Sequence, residues 1–187
     1  MIAQYIYRIF LAVCLGLMPL TVSAQMLSVS TDVLWDAAMS PNIGLELTVG
    51  NRSTLQLNAM TVLKPYGMKL RATTLQPEYR YYFSGRPMHK LFVGAGAIGA
   101  VYKLEHADKE YDGYGAGLGM TFGYVLPLGK RFNIDFHAGF GVAFYGQKEY
   151  FIGDKHDVNE AGYEIANASG AYIIPTRIGV SISYVLK

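Results

Sequence analysis

From residue 27 onward the chain alternates apolar and polar or small residues with a period of two. In Phe132–Tyr145 one parity reads Phe132, Ile134, Phe136, Ala138, Phe140, Val142 and Phe144, and the other carries Asn133, Asp135, His137, Gly139 and Gly141. Tyr114–Leu126 sets Tyr114, Ala116, Leu118, Met120, Phe122 and Tyr124 against Gly115, Gly117, Gly119, Thr121 and Gly123. Tyr172–Leu186 sets Tyr172, Ile174, Thr176, Ile178, Val180, Ile182 and Tyr184 against Arg177, Gly179, Ser181 and Ser183. Such alternation places one set of side chains on each face of a β-strand. Weaker alternation over Leu27–Trp35, Ile43–Gly50, Thr54–Leu63, Ala72–Phe83 and Leu91–Leu104 brings the predicted strands to eight.

Strand length discriminates between kinds of β protein. Soluble strands usually run about 5–6 residues, whereas the alternation in Phe132–Phe144 continues for thirteen. Tilted near 45°, a strand of that length spans the hydrocarbon layer of a bilayer, about 30 Å. The expectation is an all-β fold, an eight-stranded antiparallel transmembrane β-barrel of the outer-membrane type. The competing reading is an aromatic-rich sandwich or a lipocalin-like soluble barrel, which would bury the apolar parity and show the polar one.

Connections and aromatics orient the barrel. The connections expected at 36–42, 64–71, 105–113 and 146–171 include two long polar ones, while Asn51-Arg52, Ser84–His89 and Pro127–Arg131 are tight. Longer loops outside and shorter turns inside are the outer-membrane pattern, so both termini are expected in the periplasm. On the apolar parity, Phe83, Tyr124, Phe132 and Tyr184 fall near the periplasmic strand ends. Trp35, Tyr114, Phe144 and Tyr172 fall near the outer ends, which predicts two aromatic girdles at the membrane interfaces.

Composition agrees. Of 187 residues, 51% are apolar and only 16% charged, with 21 glycines, 15 tyrosines and 9 phenylalanines. A net charge of +2, scattered along the chain, gives no footprint for nucleic acid. Residues 1–24 read as a cleavable signal peptide: Arg8, an apolar run from Ile9 to Leu20, then the small residues of Val22-Ser23-Ala24 before Gln25. That leaves residues 25–187 as one barrel domain. Cys14, the only cysteine, lies within the signal. The mature chain is therefore expected to hold no thiol, no disulfide and no cysteine nucleophile.

The polar parity gathers Asp32, Glu46, Glu78, Arg80, Asp135, His137 and Arg177, joined by Gln56, Asn58 and Gln76. Inside a narrow barrel such charges must pair or be hydrated. The expectation is a structural charge network filling the lumen, with Arg80 and Arg177 bridging acids and Glu78 and Asp135 as their main partners. A proton or ion path is the sharper alternative. A lipid-modifying barrel enzyme of the lipid A acyltransferase or deacylase type is another, with Asp135, His137 and Ser181 as its candidate residues. Asp154, His156, Asp157, Asn159 and Glu160 lack the spacing of an EF-hand loop. Gly94-Ala-Gly96-Ala-Ile-Gly99 has the form of a dinucleotide fingerprint but sits in an alternating strand with no helix after it. No cofactor and no metal are expected.

Two sets of residues carry resemblances. Arg177-Ile-Gly179-Val-Ser-Ile182-Ser-Tyr184 is similar to the assembly signal on the last strand of outer-membrane barrels, although Val185-Leu186-Lys187 replaces the usual terminal aromatic. Asp36-Ala-Ala-Met-Ser-Pro41-Asn42-Ile-Gly44-Leu-Glu46, Gln76-Pro77-Glu78-Tyr79-Arg80-Tyr-Tyr-Phe83 and Leu128-Gly129-Lys130-Arg131-Phe132-Asn133 resemble a small-barrel family of unknown function from Bacteroidales-type outer membranes. Gly115–Tyr124 and Pro175-Thr176-Arg177-Ile-Gly179-Val-Ser share that resemblance. It implies an outer-membrane barrel and supplies no activity. The expected role is non-enzymatic, structural or surface-interacting. Its partners would be outer-membrane lipids and lipopolysaccharide, the barrel-assembly machinery during biogenesis, and a surface protein met through the 146–171 loop.

Overall fold

The computed structural model describes residues 26–63, 69–106, 109–151 and 167–186. Eight antiparallel strands, each paired with its sequence neighbours, close into a barrel. They are β1 (Leu27–Asp32), β2 (Asn42–Thr48), β3 (Ser53–Leu63), β4 (Leu70–Tyr82), β5 (Lys90–His106), β6 (Lys109–Pro127), β7 (Phe132–Phe151) and β8 (Asn167–Val185). One helical turn, α1 (Val33–Ala37), follows β1. No described helix is long and apolar enough to cross a membrane. The predicted signal peptide falls outside the described residues, as does the acidic stretch from Asp154 to Glu160.

All eight predicted strands are present, and their ends differ in informative ways. The first strand stops at Asp32, three residues before Trp35. The Asp32 carboxylate accepts from Leu34 N at 3.0 Å and from Trp35 N at 3.4 Å, capping α1 and turning the chain out of the sheet. At the other extreme, β5 and β6 continue through the region expected to be a loop at 105–113, pairing Glu105 with Glu110 and His106 with Lys109. Strands β7 and β8 likewise extend to Lys148↔Asn167. Polar residues fill these extensions, so hydropathy alternation fades there while the backbone ladder continues.

The distribution of burial is inverted relative to a soluble barrel. Exposed positions include Leu45, Leu57, Leu75, Leu118, Met120, Phe122, Phe136, Phe140 and Val142. The buried set is mostly polar or charged, and its apolar members among the described residues are Tyr82, Met88, Phe92 and Val125. Large residues and glycines share the interior along the hydrogen-bonded rows. One row runs Tyr82–Phe92–Gly123–His137–Gly179, and the next Thr54–Arg80–Gly94–Thr121–Gly139–Arg177. A Cβ at Gly123 would run into the Phe92 ring, and one at Gly179 into the Asp32 carboxylate. Glycine at these two points is what lets eight strands close around bulky contents.

Candidate functional site

The interior charges form one connected network in the half of the barrel nearer the termini. Arg80 is fully buried and lies at its centre. Its Nε donates to Glu78 Oε1, its Nη1 donates to Asp135 Oδ2 at 2.7 Å, and the same Nη1 lies 3.6 Å from Glu46 Oε2. The guanidinium also stacks over Phe92, 4.3 Å from the ring centroid. Glu46 accepts from Thr54 Oγ1 at 2.6 Å and from Tyr82 Oη at 2.7 Å. A planar, always-charged fork is suited to holding several carboxylates at once, and here Arg80 meets three.

Arg177 forms the second node. Its Nη1 donates to Gln56 Oε1 at 2.9 Å and to Glu78 Oε2 at 3.2 Å. Asn58, with its amide oxygen turned to the guanidinium, accepts from Nη2 at 2.7 Å. Thr121 Oγ1 completes the shell of Glu78 at 3.0 Å. Glu78 thus bridges the two arginines: Arg80 meets Glu78, Asp135 and Glu46, whereas Arg177 meets one acid, Glu78, and otherwise Gln56 and Asn58.

His137 extends the network toward the β1–β8 seam. Its Nε2 lies 3.1 Å from Asp32 Oδ2, and its Nδ1 is 3.6 Å from Asp135 Oδ1, too far for a hydrogen bond. Ser181 Oγ donates to Asp32 Oδ2 at 3.5 Å. Both Ser181 and His137 therefore converge on the acid. Nucleophilic catalysis needs the hydroxyl on the imidazole instead. Among the described residues no group of three or more His, Cys, Asp or Glu is placed to hold a metal ion.

A scan against family models matches residues 9–186 to DUF3575, proteins of unknown function. The chain belongs to that family. This DUF3575 barrel has no match among curated proteins or solved structures. Within it, the residues expected as girdles divide. Phe83, Tyr124 and Phe132 are exposed on the outer surface at the end that carries both termini, with Phe132 and Tyr184 edge-to-face at 4.9 Å. Arg131 Nη1 donates to Tyr184 Oη at 2.9 Å. Tyr114 and Phe144 are exposed on the outer surface at the opposite end. Trp35 sits on α1 rather than on a strand, and its Nε1 donates to Ile178 O at 2.8 Å.

Tyr172 departs from its expected face. The β7–β8 ladder pairs Gly139 with Arg177 and then Gly141 with Ile174, so Pro175 and Thr176 together oppose Phe140. This β-bulge shifts the parity of β8 by one. Beyond it Tyr172 pairs with Ala143 on the interior side and stacks on Tyr145 at 5.4 Å, while Ile173, 82% exposed, takes the outer side. Sequence alternation missed the bulge, and Pro175 was the one visible signal of it, since proline in a strand is confined to edges and bulges.

Proposed function

We propose that this DUF3575 protein is a non-enzymatic bacterial outer-membrane barrel, exported by a signal at residues 1–24 and acting in a structural or surface-interaction role. The observation that carries this reading is the inverted burial: an outer surface of exposed Leu, Met and Phe around an interior of paired Asp, Glu, Arg and His. In water such a surface would aggregate, whereas in hydrocarbon it is satisfied, and a closed barrel leaves no unpaired edge where it is complete. The aromatics at both ends support two membrane interfaces.

In this reading the end carrying both termini faces the periplasm and the long β5–β8 hairpins project outward. Outer-membrane lipids and lipopolysaccharide surround the barrel, and a surface partner meets the outward end. Gly179, Ile182 and Tyr184 on β8 would be read by the assembly machinery during insertion. The interior network is a rigid core in place of a hydrophobic one. The lipid-modifying alternative gains no support from the placement of Ser181.

An epitope inserted after Asp154 should be detected on intact cells, and one at the C-terminus only after permeabilisation. The protein should fractionate with the outer membrane and migrate differently on gels before and after heating. A soluble periplasmic fraction would end this reading, and the reverse labelling pattern would invert its topology.

A further inference from the structure

Among the described residues the barrel wall is complete near the termini and incomplete above. On its β7 side β8 is paired up to Asn167, but on its other side β1 reaches only from Val185 to Ser181. Among the described residues, the upper part of β8 has no strand beside it on that side. An unpaired edge at membrane depth is tolerated only where other groups satisfy it or it lines a cavity. Two carbonyls of this edge are satisfied by side chains, and the edge lines a cavity. Trp35 Nε1 donates to Ile178 O at 2.8 Å, Gln76 Nε2 reaches across the interior to Thr176 O at 2.8 Å, and Pro175 has no N–H to satisfy.

The gap leads into open space. A cavity of about 200 Å³ is bounded by Pro175, Thr176 and Ile178 on β8 and by Trp35, Asn42 and Met60 on the facing side, with the polar Asp32, His137 and Arg177 at its inner wall. Its walls mix interior residues with Ile178, which is exposed on the outer surface, as a window through the wall would. Directly above along β8, Tyr172 and Ile174 line a second cavity of about 420 Å³. Tyr102, Tyr145, Ala100 and Ala143 complete most of that lining, which includes no charged side chain. Its polar groups are few: tyrosine hydroxyls and Gln147, whose Oε1 accepts from Tyr102 Oη at 2.9 Å. An uncharged, mostly apolar pocket with a few polar handles suits an apolar ligand, not an ion or a sugar.

We propose that the gap between the upper half of β8 and the α1–β2–β3 corner is a lateral port, through which an acyl chain of an outer-leaflet lipid enters the tyrosine-lined upper cavity. The proposal rests on the outer-membrane reading above. Outer-surface Ile173 and Ile178 place apolar surface beside the port. The ion network below closes the floor: Arg177 and Gln76 line the lower cavity, and Arg80 lies beneath them.

The test uses tryptophan quenching by lipids brominated on their acyl chains, with the protein refolded into vesicles of those lipids and its fold checked by heat-modifiable migration. Trp35, the only tryptophan, is replaced by Phe. New probes are placed singly at Tyr145 (Tyr145→Trp) inside the cavity and at Phe140 (Phe140→Trp) on the outer surface, with Tyr172→Trp as a second interior site. The port predicts quenching at Phe140→Trp and at an interior site, with the interior quenching lost when Ala100→Leu and Ala143→Phe fill the cavity. Interior quenching that is absent, or unchanged on filling, while Phe140→Trp is quenched, overturns the port alone. No quenching at Phe140→Trp overturns the membrane reading and the port with it.

Discussion

Arg80 on β4 and Asp135 on β7 are 55 residues apart in sequence and join across the barrel interior through a 2.7 Å charge-assisted hydrogen bond. Removing the guanidinium would leave Asp135 and Glu46 without an arginine and Glu78 with Arg177 alone. Breaking a buried pair in this way costs about 3–5 kcal/mol. Arg80→Met should therefore lower the unfolding free energy of the refolded barrel by that order in a urea titration. Adding Asp135→Asn and Glu46→Gln to Arg80→Met should recover part of the loss, because the two acids that depend on Arg80 are then neutral while Glu78 keeps Arg177. An Arg80→Met barrel as stable as wild type would show that the network contributes nothing net.

The glycines of the strands should not be equivalent, since Gly179 faces the interior and Gly99 the outer surface. A Cβ at Gly179 collides with the Asp32 carboxylate, whereas one at Gly99 meets nothing within 4 Å. Gly179→Ala should destabilise by about 1–3 kcal/mol, the usual range for overpacking, and Gly99→Ala should be close to neutral. Thermal or denaturant midpoints of the two variants, compared in one detergent, check the contrast. Equal midpoints would mean that Asp32 moves aside freely.

Phe136 and Phe140 are exposed on the outer surface of β7, and Phe140 stacks with Phe122 at 6.4 Å between ring centroids. In a bilayer, arginine at such a height costs about 2–4 kcal/mol. Phe136→Arg should lose that much when refolded into vesicles. Spin labels at the two positions should be relaxed by oxygen dissolved in lipid and not by a water-soluble nickel complex. The opposite accessibility would place this face in water.

Arg80, Tyr82 and Phe92 lie close together in the interior near the end with both termini and are essentially inaccessible to solvent. The wild-type protein should show no stable conductance in planar bilayers, since an eight-stranded barrel is only wide enough for its own side chains. A double change of Arg80 and Phe92 to alanine should introduce current if it folds. A defined wild-type channel would overturn the plugged interior.

Much of this molecule was legible in its sequence where one face is apolar and the other is glycine or charge, as in Tyr114–Leu126. Asp135 and Arg177 could be assigned to a common interior because β7 alternates throughout Phe132–Phe144 and β8 alternates from Arg177 to Tyr184. Three features were hidden. Asp32 belongs to the strand by parity, yet its carboxylate stops β1 by capping α1, a local bond that hydropathy does not register. Lys148 and Glu110 lie in continuous β ladder although both their faces are polar, so no alternation marks them. Tyr172 was placed on the wrong face because a single inserted residue near Pro175 resets the count for everything beyond it.

The seam between β1 and β8 pairs only five residues, from Ser28↔Val185 to Asp32↔Ser181. Every other ladder joins neighbours in sequence and can form as a hairpin while the chain is still incomplete. Ring closure alone has to bring the two ends of the domain together, and it gains the contacts of Asp32 with His137 and Ser181 only at that moment. Long-range pairing of this kind is the slow step of β-protein folding. A chain arrested before closure would carry two bare strand edges at once, which makes the short seam the point where a second copy would exchange strands with the first.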